Sequence, residues 1–230
     1  IEAGLRSHNL TQPYPEEGYR QMISRIADIN FAPTSISARN LEREQVIGDI
    51  HIVGNSVLDN LTEYKDECEY TDKVLVTLHR WENHHWMDEW FKELNEVAKK
   101  YSNIEFTIPL HHNPAVRKHK DLLTNVNVVP ALPHNEMIDL MSKCKFIITD
   151  SGGLQEEGTF LNKKIIVCRD LTERPEGLNT GHLTLCKEPK DLMGLVDTIN
   201  RDYIIKENCP YGDGNTAIKV KEILDGYSNS

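Results

Sequence analysis

From residue 74 onward, short apolar runs alternate with segments whose apolar residues recur at helical spacing, and this alternation constrains the fold more than any other feature. The predicted strands are residues 74–78, 104–110, 126–129, 146–149, 165–168 and 183–186. The predicted helices start near Trp86, lie around Met137, and cover residues 154–160, 192–199 and 217–224. Strands that alternate with helices are typical of βαβ units. The sequence therefore predicts an α/β protein with a parallel, doubly wound sheet.

The first 61 residues hold fewer such elements and are predicted to form only the later part of a first domain. Short strands are predicted at residues 1–5, 31–32 and 50–53, and a helix starts near Glu16. The residues that form an apolar face on this helix are Tyr19, Met22, Ile23, Ile26 and Ala27. Because Ile1, and not Met, opens a segment that already resembles a strand, we expect the start of the first domain to be missing from this chain.

Composition marks the boundary between the domains. Residues 62–73 are polar and acidic, and we interpret them as the linker to a second domain at 74–209. Residues 210–230 are predicted to form a C-terminal segment whose helix returns to the first domain.

Charge and cysteine content exclude several classes of protein. The chain has 26 Lys and Arg against 36 Asp and Glu, a formal net charge of −10, which argues against binders of nucleic acid or anionic membranes. No apolar run approaches the roughly 18 residues of a membrane span. The five cysteines form no CxxC pair, which indicates reduced thiols in a cytoplasmic protein.

Residues able to bind an anionic ligand follow the predicted strands at their carboxyl ends, where parallel sheets bind ligands. Ser151, Gly152 and Gly153 follow strand 146–149 and open a helix, so their amides favour a phosphate, and Glu157 one turn later suits a ribose diol. The alternative is an ordinary strand-to-helix turn. His79 and Arg80 end strand 74–78 and suit a phosphate leaving group, or else form a solvent-facing loop.

Three further groups leave alternatives open. Arg174 is placed for a diphosphate or lies in a charged surface loop. Glu2, Glu16 and Glu17 are suited to acid–base chemistry, although a helix amino terminus also favours acidic residues. The adjacent histidines at 84–85 and 111–112 lack a ligand partner at metal-binding spacing, so we predict no metal site.

Short motifs occur along essentially the whole chain. They are 2–6 (EAGLR), 15–17 (PEE) with Arg20, 31–34 (FAPT), 53–55 (VGN), 79–80 (HR) with 82–83 (EN), Pro109 with His111 and 113–114 (NP), 150–157 (DSGGLQEE), 169–170 (RD), 172–176 (TERPE) and 210–214 (PYGDG). In this order they closely resemble the non-hydrolysing UDP-N-acetylglucosamine 2-epimerases. One departure is Trp81, where the family usually has a second Arg.

The resemblance implies two Rossmann-like domains in a glycosyltransferase-B-like architecture and reversible conversion of UDP-N-acetylglucosamine to UDP-N-acetylmannosamine. The implied route is anti elimination of UDP to 2-acetamidoglucal and re-addition, with neither NAD nor a metal as cofactor. The implied catalytic residues are Glu2, Glu16 and His79. The implied substrate-binding residues are Ser151, Gly152, Gly153, Glu157 and Arg174. The resemblance further implies that Arg80 and His111 belong to an effector site, through which many bacterial members are activated.

The resemblance also implies a homodimer that binds a UDP-sugar. Two other functions remain open: a retaining UDP-sugar glycosyltransferase, which has no need of the Glu2 and Glu16 motifs, and a non-catalytic UDP-sugar-binding fragment. Because the family's phosphate loop and a catalytic Asp lie upstream of the Glu2 motif, we expect this chain alone to be inactive or nearly so.

Overall fold

The computed structural model describes residues 1–205 and 207–228, and these form two compact units. The first unit comprises Ile1–Glu63, Leu171–Glu176 and the described residues of Cys209–Ser230. The second comprises Tyr64–Asp170 and the described residues of Gly177–Asn208. The structure thus assigns residues 171–176 to the first unit, whereas the sequence analysis placed them in the second domain.

The proposed linker is also part of a folded unit. The amide of Glu69 donates to the carbonyl of Ser142 at 3.0 Å, and that of Thr71 donates to the carbonyl of Lys143 at 3.1 Å. The buried Lys163 ammonium donates to the carbonyls of Glu69 and Cys144. Acidic composition predicts exposed side chains correctly, but it does not reveal these backbone contacts with the second unit.

The helices and strands follow the alternation seen in the sequence. The helices are α1 (Glu16–Ile26), α2 (Ser35–Arg43), α3 (Thr62–Lys65), α4 (Met87–Lys100), α5 (Pro114–Arg117), α6 (His134–Lys143), α7 (Gly152–Phe160), α8 (Glu176–Asn179), α9 (Leu192–Arg201) and α10 (Thr216–Ser228). The strands are β1 (Ile29–Ala32), β2 (Asp49–Ile52), β3 (Lys73–Thr77), β4 (Glu105–Leu110), β5 (Asn127–Pro130), β6 (Phe146–Thr149), β7 (Ile165–Val167) and β8 (Leu183–Leu185). Short 3₁₀ helices lie at Ser56–Leu61, Trp81–Trp86, Lys120–Leu122 and Pro189–Asp191.

The first unit contains a two-stranded parallel sheet in which Ile29 of β1 lies opposite Asp49 of β2. The prediction of a strand at residues 1–5 is wrong, because this segment forms a turn and irregular backbone. Glu2 has a φ of 57° and Gly4 a φ of 82°, values that interrupt an extended chain.

The apolar face of α1 points outward. The exposed fractions of Tyr19, Met22, Ile23 and Ile26 range from 55% to 83%. The helix buries Glu17 and Ser24 instead. Apolar spacing therefore predicted the helix correctly, while the side that the first unit buries is polar.

The second unit contains a six-stranded parallel sheet in the order β5-β4-β3-β6-β7-β8, which confirms the predicted α/β fold class. This order is typical of a doubly wound fold. On one face of the sheet, Val74 and Ile148 pack into a core with Phe91 of α4 and Val196 of α9. On the other face α7 approaches closely, since a Cβ on Gly158 would lie 2.6 Å from Ile147 Cδ1.

Candidate active site

The strand order of the second unit reverses between β3 and β6, and ligands bind at such a switch point in doubly wound sheets. Thr77 at the end of β3 lies opposite Thr149 at the end of β6, and their hydroxyl oxygens are 2.5 Å apart. His79 and Arg80 follow the first strand, and Asp150 and Ser151 follow the second. The candidate ligands predicted from the two strand ends thus meet at one edge of the sheet.

Asp150 is the most completely enclosed charged group at this edge, with no exposed surface. Its Oδ2 accepts hydrogen bonds from the amides of His79 and Arg80, both at 2.9 Å, and from Asn83 Nδ2 at 3.0 Å. Its Oδ1 lies 3.1 Å from His79 Nδ1. Burial opposes ionisation of Asp150, but its hydrogen bonds and the charge of His79 outweigh burial and lower the pKa of the carboxyl group.

His79 is also in contact with a second imidazole. The ring of His111, which follows β4, stacks on the ring of His79 with centroids 5.1 Å apart and planes inclined at 24°. Burial lowers the pKa of His111, and the charges of His79 and His112 lower it further. Arg80 Nη1 lies 3.8 Å from Glu82 Oε1. The two residues assigned to an effector site, Arg80 and His111, therefore lie at the same sheet edge as His79.

The amino terminus of α7 forms the adjoining part of the site. The amide of Ser151 donates to Thr149 Oγ1 at 2.9 Å, and Gly152 and Gly153 begin the helix. A Cβ placed on Gly153 would meet no atom within 4 Å, so the space beside this glycine is open. Helix amino termini present amides and a partial positive charge, which suit a phosphate.

Glu157 lies one helical turn after Gly153 and so on the same side of α7. Its side chain is largely buried, with 7% of the residue exposed. Burial raises the pKa of the Glu157 carboxyl group, and the charge of His134 opposes this increase. A buried carboxylate one helical turn from a phosphate-binding helix start is suited to accept hydrogen bonds from a ribose diol.

Arg174 lies in the first unit, in the segment Leu171–Glu176, and is 5% exposed. Its Nη1 donates to Glu173 Oε1 at 2.7 Å, and its carbonyl accepts a hydrogen bond from the Tyr211 hydroxyl at 2.9 Å. Glu173 Oε1 also lies 3.8 Å from Arg20 Nη2. The buried Glu173 carboxylate therefore links two arginines.

The acidic candidates of the first unit differ sharply in their surroundings. Glu2 and Glu16 are exposed. Glu17 is fully buried and accepts hydrogen bonds from the amides of Ser7 and His8 and from Gln21 Nε2. Glu17 therefore holds the loop that precedes α1, and Glu2 and Glu16 are the carboxylates available to a ligand.

Within residues 1–205 and 207–228, no group of three or more His, Cys, Asp or Glu side chains is arranged to hold a metal ion. Over the same residues, no helix combines the length and apolar character needed to span a membrane.

The sequence model of the family described as UDP-N-acetylglucosamine 2-epimerase matches residues 1–225. This chain belongs to that family. The curated UDP-N-acetylglucosamine 2-epimerase of Neisseria meningitidis is 37% identical, in a match that covers 97% of this chain and 68% of the relative. That of Campylobacter jejuni is also 37% identical, over 97% of this chain and 67% of the relative.

A solved structure supports the same assignment. The crystal structure of the Neisseria meningitidis UDP-GlcNAc 2-epimerase bound to UDP-GlcNAc matches with a TM-score of 0.88 and 35% identity, covering 98% of this chain and 69% of that one. The chain thus spans about two thirds of the length of these family members. The resemblance inferred from the motifs and the glycosyltransferase-B-like α/β fold are confirmed.

Sequence analysis missed the residues that support the predicted site. Asp150 belongs to a matching motif but received no role, Asn83 and Glu173 were likewise unassigned, and Glu17 was considered only as an acid–base candidate. One signal was available for Asp150, because an Asp at a strand end directly before a glycine-rich helix start can reach the neighbouring strand end. Glu17 and Glu173 gave no such signal, since their burial depends on the packing of the first unit.

Proposed function

We propose that this family member catalyses the reversible C2 epimerisation of UDP-N-acetylglucosamine to UDP-N-acetylmannosamine. The observation that carries the proposal is the edge between β3 and β6, where His79, held by Asp150, lies beside the start of α7. A hydrogen-bond donor next to a helix amino terminus is suited to a diphosphate that gains negative charge as its bond to the sugar breaks.

The chemistry of C2 determines the proposed route. No carbonyl lies beside C2, so simple enolisation cannot invert it. In the proposed anti elimination, a carboxylate takes the C2 proton, a C1=C2 double bond forms, and the C1–O electron pair leaves with UDP. Re-addition of UDP to the bound 2-acetamidoglucal, with a proton delivered to the opposite face, gives the epimer. Elimination followed by re-addition involves no net oxidation or reduction, so the reaction needs no nicotinamide.

The residue roles follow the resemblance. Glu2 and Glu16 are proposed as the carboxylates that exchange the C2 proton, and their exposure supports this role. Ser151, Gly152 and Gly153 are proposed to bind the diphosphate. Glu157 is proposed to bind the ribose hydroxyls and Arg174 the nucleotide. The open space beside Gly153 and the burial of Glu157 support these assignments.

Proton NMR of product formed in deuterium oxide by the full-length enzyme tests the reaction. We expect both UDP-sugars to appear with deuterium at C2, and Glu2→Gln or Glu16→Gln to abolish the exchange. Glu42→Gln, a change of an exposed glutamate on α2, is the matched control. Turnover with C2 protium fully retained would exclude the elimination route.

His79→Ala tests the leaving-group role. The charge that His79 meets develops mainly as the C1–O bond breaks, so we expect kcat to fall about 10²–10³-fold while UDP affinity changes much less. Steady-state kinetics and calorimetric titration with UDP separate the two quantities. Equal losses in both would make His79 a binding residue only.

The alternative functions are separated by the same assay. A retaining glycosyltransferase would consume UDP-N-acetylglucosamine only when a sugar acceptor is added, and a non-catalytic fragment would bind UDP without forming either epimer. The buried Glu17, which fixes the loop before α1 and so the position of Glu16, favours the epimerase.

Effector activation by UDP-N-acetylglucosamine is part of the proposal. The stacking of His111 on His79 supports it, because a ligand that contacts His111 and Arg80 would act directly on the leaving-group residue. Hyperbolic reverse kinetics without added UDP-N-acetylglucosamine would contradict this role.

A cytoplasmic homodimer completes the proposal. The exposed apolar residues of α1 supply a surface that a second copy could cover. Light scattering of the chain and of Ile26→Glu tests it, since a dimer through this face predicts a monomeric variant. The cytoplasmic location is supported by five cysteines without metal-binding spacing.

A further inference from the structure

The two carboxylate oxygens of Asp150 have different partners. Oδ2 accepts from two backbone amides and from Asn83, and so it fixes the path of residues 79–83. Oδ1 lies 3.1 Å from the Nδ1 atom of His79 and 3.2 Å from the His79 amide. One oxygen therefore holds the loop, and the other is in reach of the imidazole.

The His79 ring is thus held on two sides. Asp150 holds it by its Nδ1 edge, and the stacked His111 ring covers one of its faces. The His79 side chain remains one-third exposed. Because Nδ1 is directed at a buried carboxylate, Nε2 is the ring nitrogen that remains available to a ligand.

We propose that Asp150 is a positioning residue, which keeps a proton on His79 Nδ1 and favours the doubly protonated ring that presents Nε2–H to the leaving diphosphate. This inference rests on the proposed function. In the forward step the C1–O electron pair passes to the diphosphate, whose oxygen is met by the Nε2 proton. In re-addition the oxygen returns that proton, so His79 ends the cycle unchanged.

Asp150 is the carboxylate closest to the His79 ring, with Oδ1 3.1 Å from Nδ1. The other titratable or charged groups of the second unit near it are Arg80, Glu82, His84, His111 and His112. Glu82 is directed at Arg80, and the remaining groups are cationic or neutral. Asp150 is therefore the anion in contact with the ring, and its lowered pKa keeps it ionised across the neutral range.

A purely structural role for Asp150 predicts different results. Asp150→Asn keeps the side-chain shape and an oxygen for the backbone amides, but it places a neutral amide donor against Nδ1. Asn83→Ala is the matched control, because it removes another Asp150 partner and a hydrogen bond to the Cys168 carbonyl without touching Nδ1. If Asp150 only holds the loop, the two variants behave alike.

Long-range ¹H–¹⁵N NMR of the His79 ring, assigned with His79→Ala, reads the effect without requiring turnover. We expect Nδ1 to carry the proton in the free chain and both nitrogens to carry protons with UDP bound. Asp150→Asn should move the proton to Nε2, and Asn83→Ala should leave the spectrum unchanged. An unprotonated Nδ1 in the wild-type chain overturns the proposal. This readout needs no variant, so it holds even if Asp150→Asn does not fold.

Kinetics adds the second readout. We expect kcat for epimerisation to fall about 10²-fold in Asp150→Asn and less than tenfold in Asn83→Ala. The double variant Asp150→Asn/His79→Ala should lose no more than His79→Ala alone. An additive double variant overturns the proposal while leaving the epimerase function intact. If the full-length enzyme does not epimerise UDP-N-acetylglucosamine, the proposed function fails, and the NMR spectra still decide the position of the proton.

Discussion

At the scale of single residues, burial and donors divide the carboxylates of this chain. Glu17 and Asp150 are enclosed and accept three or more hydrogen bonds each, so both act as fixed parts of the fold. Glu2 and Glu16 are exposed and so can meet a substrate. Glu16 and Glu17 are neighbours in sequence, and they differ only in the side of α1 on which they lie. Composition and spacing could not make that distinction.

The buried His182 makes the free energy of unfolding depend on pH. It is fully buried, with Nδ1 2.7 Å from Thr180 Oγ1, and burial together with the charge of Lys164 lowers its pKa to about 4. An unfolded histidine titrates near 6.5. As pH falls from 6.5 towards 4, the unfolded state therefore takes up a proton that the folded state does not, and stability decreases.

We expect the free energy of unfolding to fall by up to about 2 kcal/mol between pH 7 and pH 5 on this account, and His182→Gln to remove that part of the loss. Urea unfolding at both pH values, followed by tryptophan fluorescence, measures it. His112→Gln is the control at an exposed site. An equally steep loss in His182→Gln would assign the acid sensitivity to other groups.

At the scale of elements, the close approach of the N-terminal segment to α2 limits what Gly4 can become. A Cβ on Gly4 would lie 2.1 Å from the Ser37 carbonyl oxygen, and the residue has a φ of 82°. Asn40 Nδ2 donates to the Gly4 carbonyl at 2.9 Å, and Arg6 pairs with Glu44 at 2.8 Å. These contacts fix the segment that carries Glu2.

Gly4→Ala is expected to destabilise the first unit by about 3 kcal/mol or more, because the clash is with backbone and the left-handed conformation is strained. Gly18→Ala is the matched control within α1, where a Cβ meets no atom within 4 Å, and it should stabilise by up to about 1 kcal/mol. Far-UV circular dichroism in urea measures both. Equal midpoints for the two variants would refute the argument.

The elements of the second unit could be predicted from sequence, because each strand is a short apolar run between polar segments. The prediction of β6 at residues 146–149 and of the helix after it is confirmed. The first unit was harder for physical reasons. Its sheet has two strands, its helix α1 buries a polar side, and the segment Leu171–Glu176 joins it from a distant part of the chain. Local pattern carries no signal for that joining.

The site shows the same limit. The ligand-binding candidates at the strand ends, His79 and Ser151, could be located because parallel strands place their carboxyl ends at one edge. The contact between Asp150 and His79 could not be located in this way. It depends on the pairing of β3 with β6, in which Thr77 lies opposite Thr149, 72 residues later in the chain. Motif order identified the family, and tertiary contacts identified the supporting residues.

At the scale of the whole molecule, the two units have separate sheets and cores of very different size. The core of the first unit includes a small cluster of Ala32, Ala38 and Leu41, whereas that of the second spans a six-stranded sheet with α4 and α9. Stability rises with the size of the buried core. All three tryptophans, Trp81, Trp86 and Trp90, lie in the second unit, so their fluorescence reports on it alone.

We therefore predict two unfolding transitions, with the first unit unfolding at lower urea concentration and the tryptophan signal following only the later one. Leu41→Ala should lower the free energy of the early unfolding transition, followed by circular dichroism, by about 2–5 kcal/mol. Phe91→Ala should lower that of the later transition, followed by fluorescence, by about 3–5 kcal/mol.

UDP should raise the urea midpoint of the fluorescence transition, because it binds the folded state of the unit that holds Ser151 and Glu157. At 100 times its Kd, UDP should add about 2.7 kcal/mol to the free energy of unfolding of this unit. Glu157→Gln should weaken that increase, and Glu136→Gln, a change on α6 at an exposed position, should not. Coincident transitions by both probes, each shifted equally by Leu41→Ala and by UDP, would show that the chain unfolds as one cooperative body.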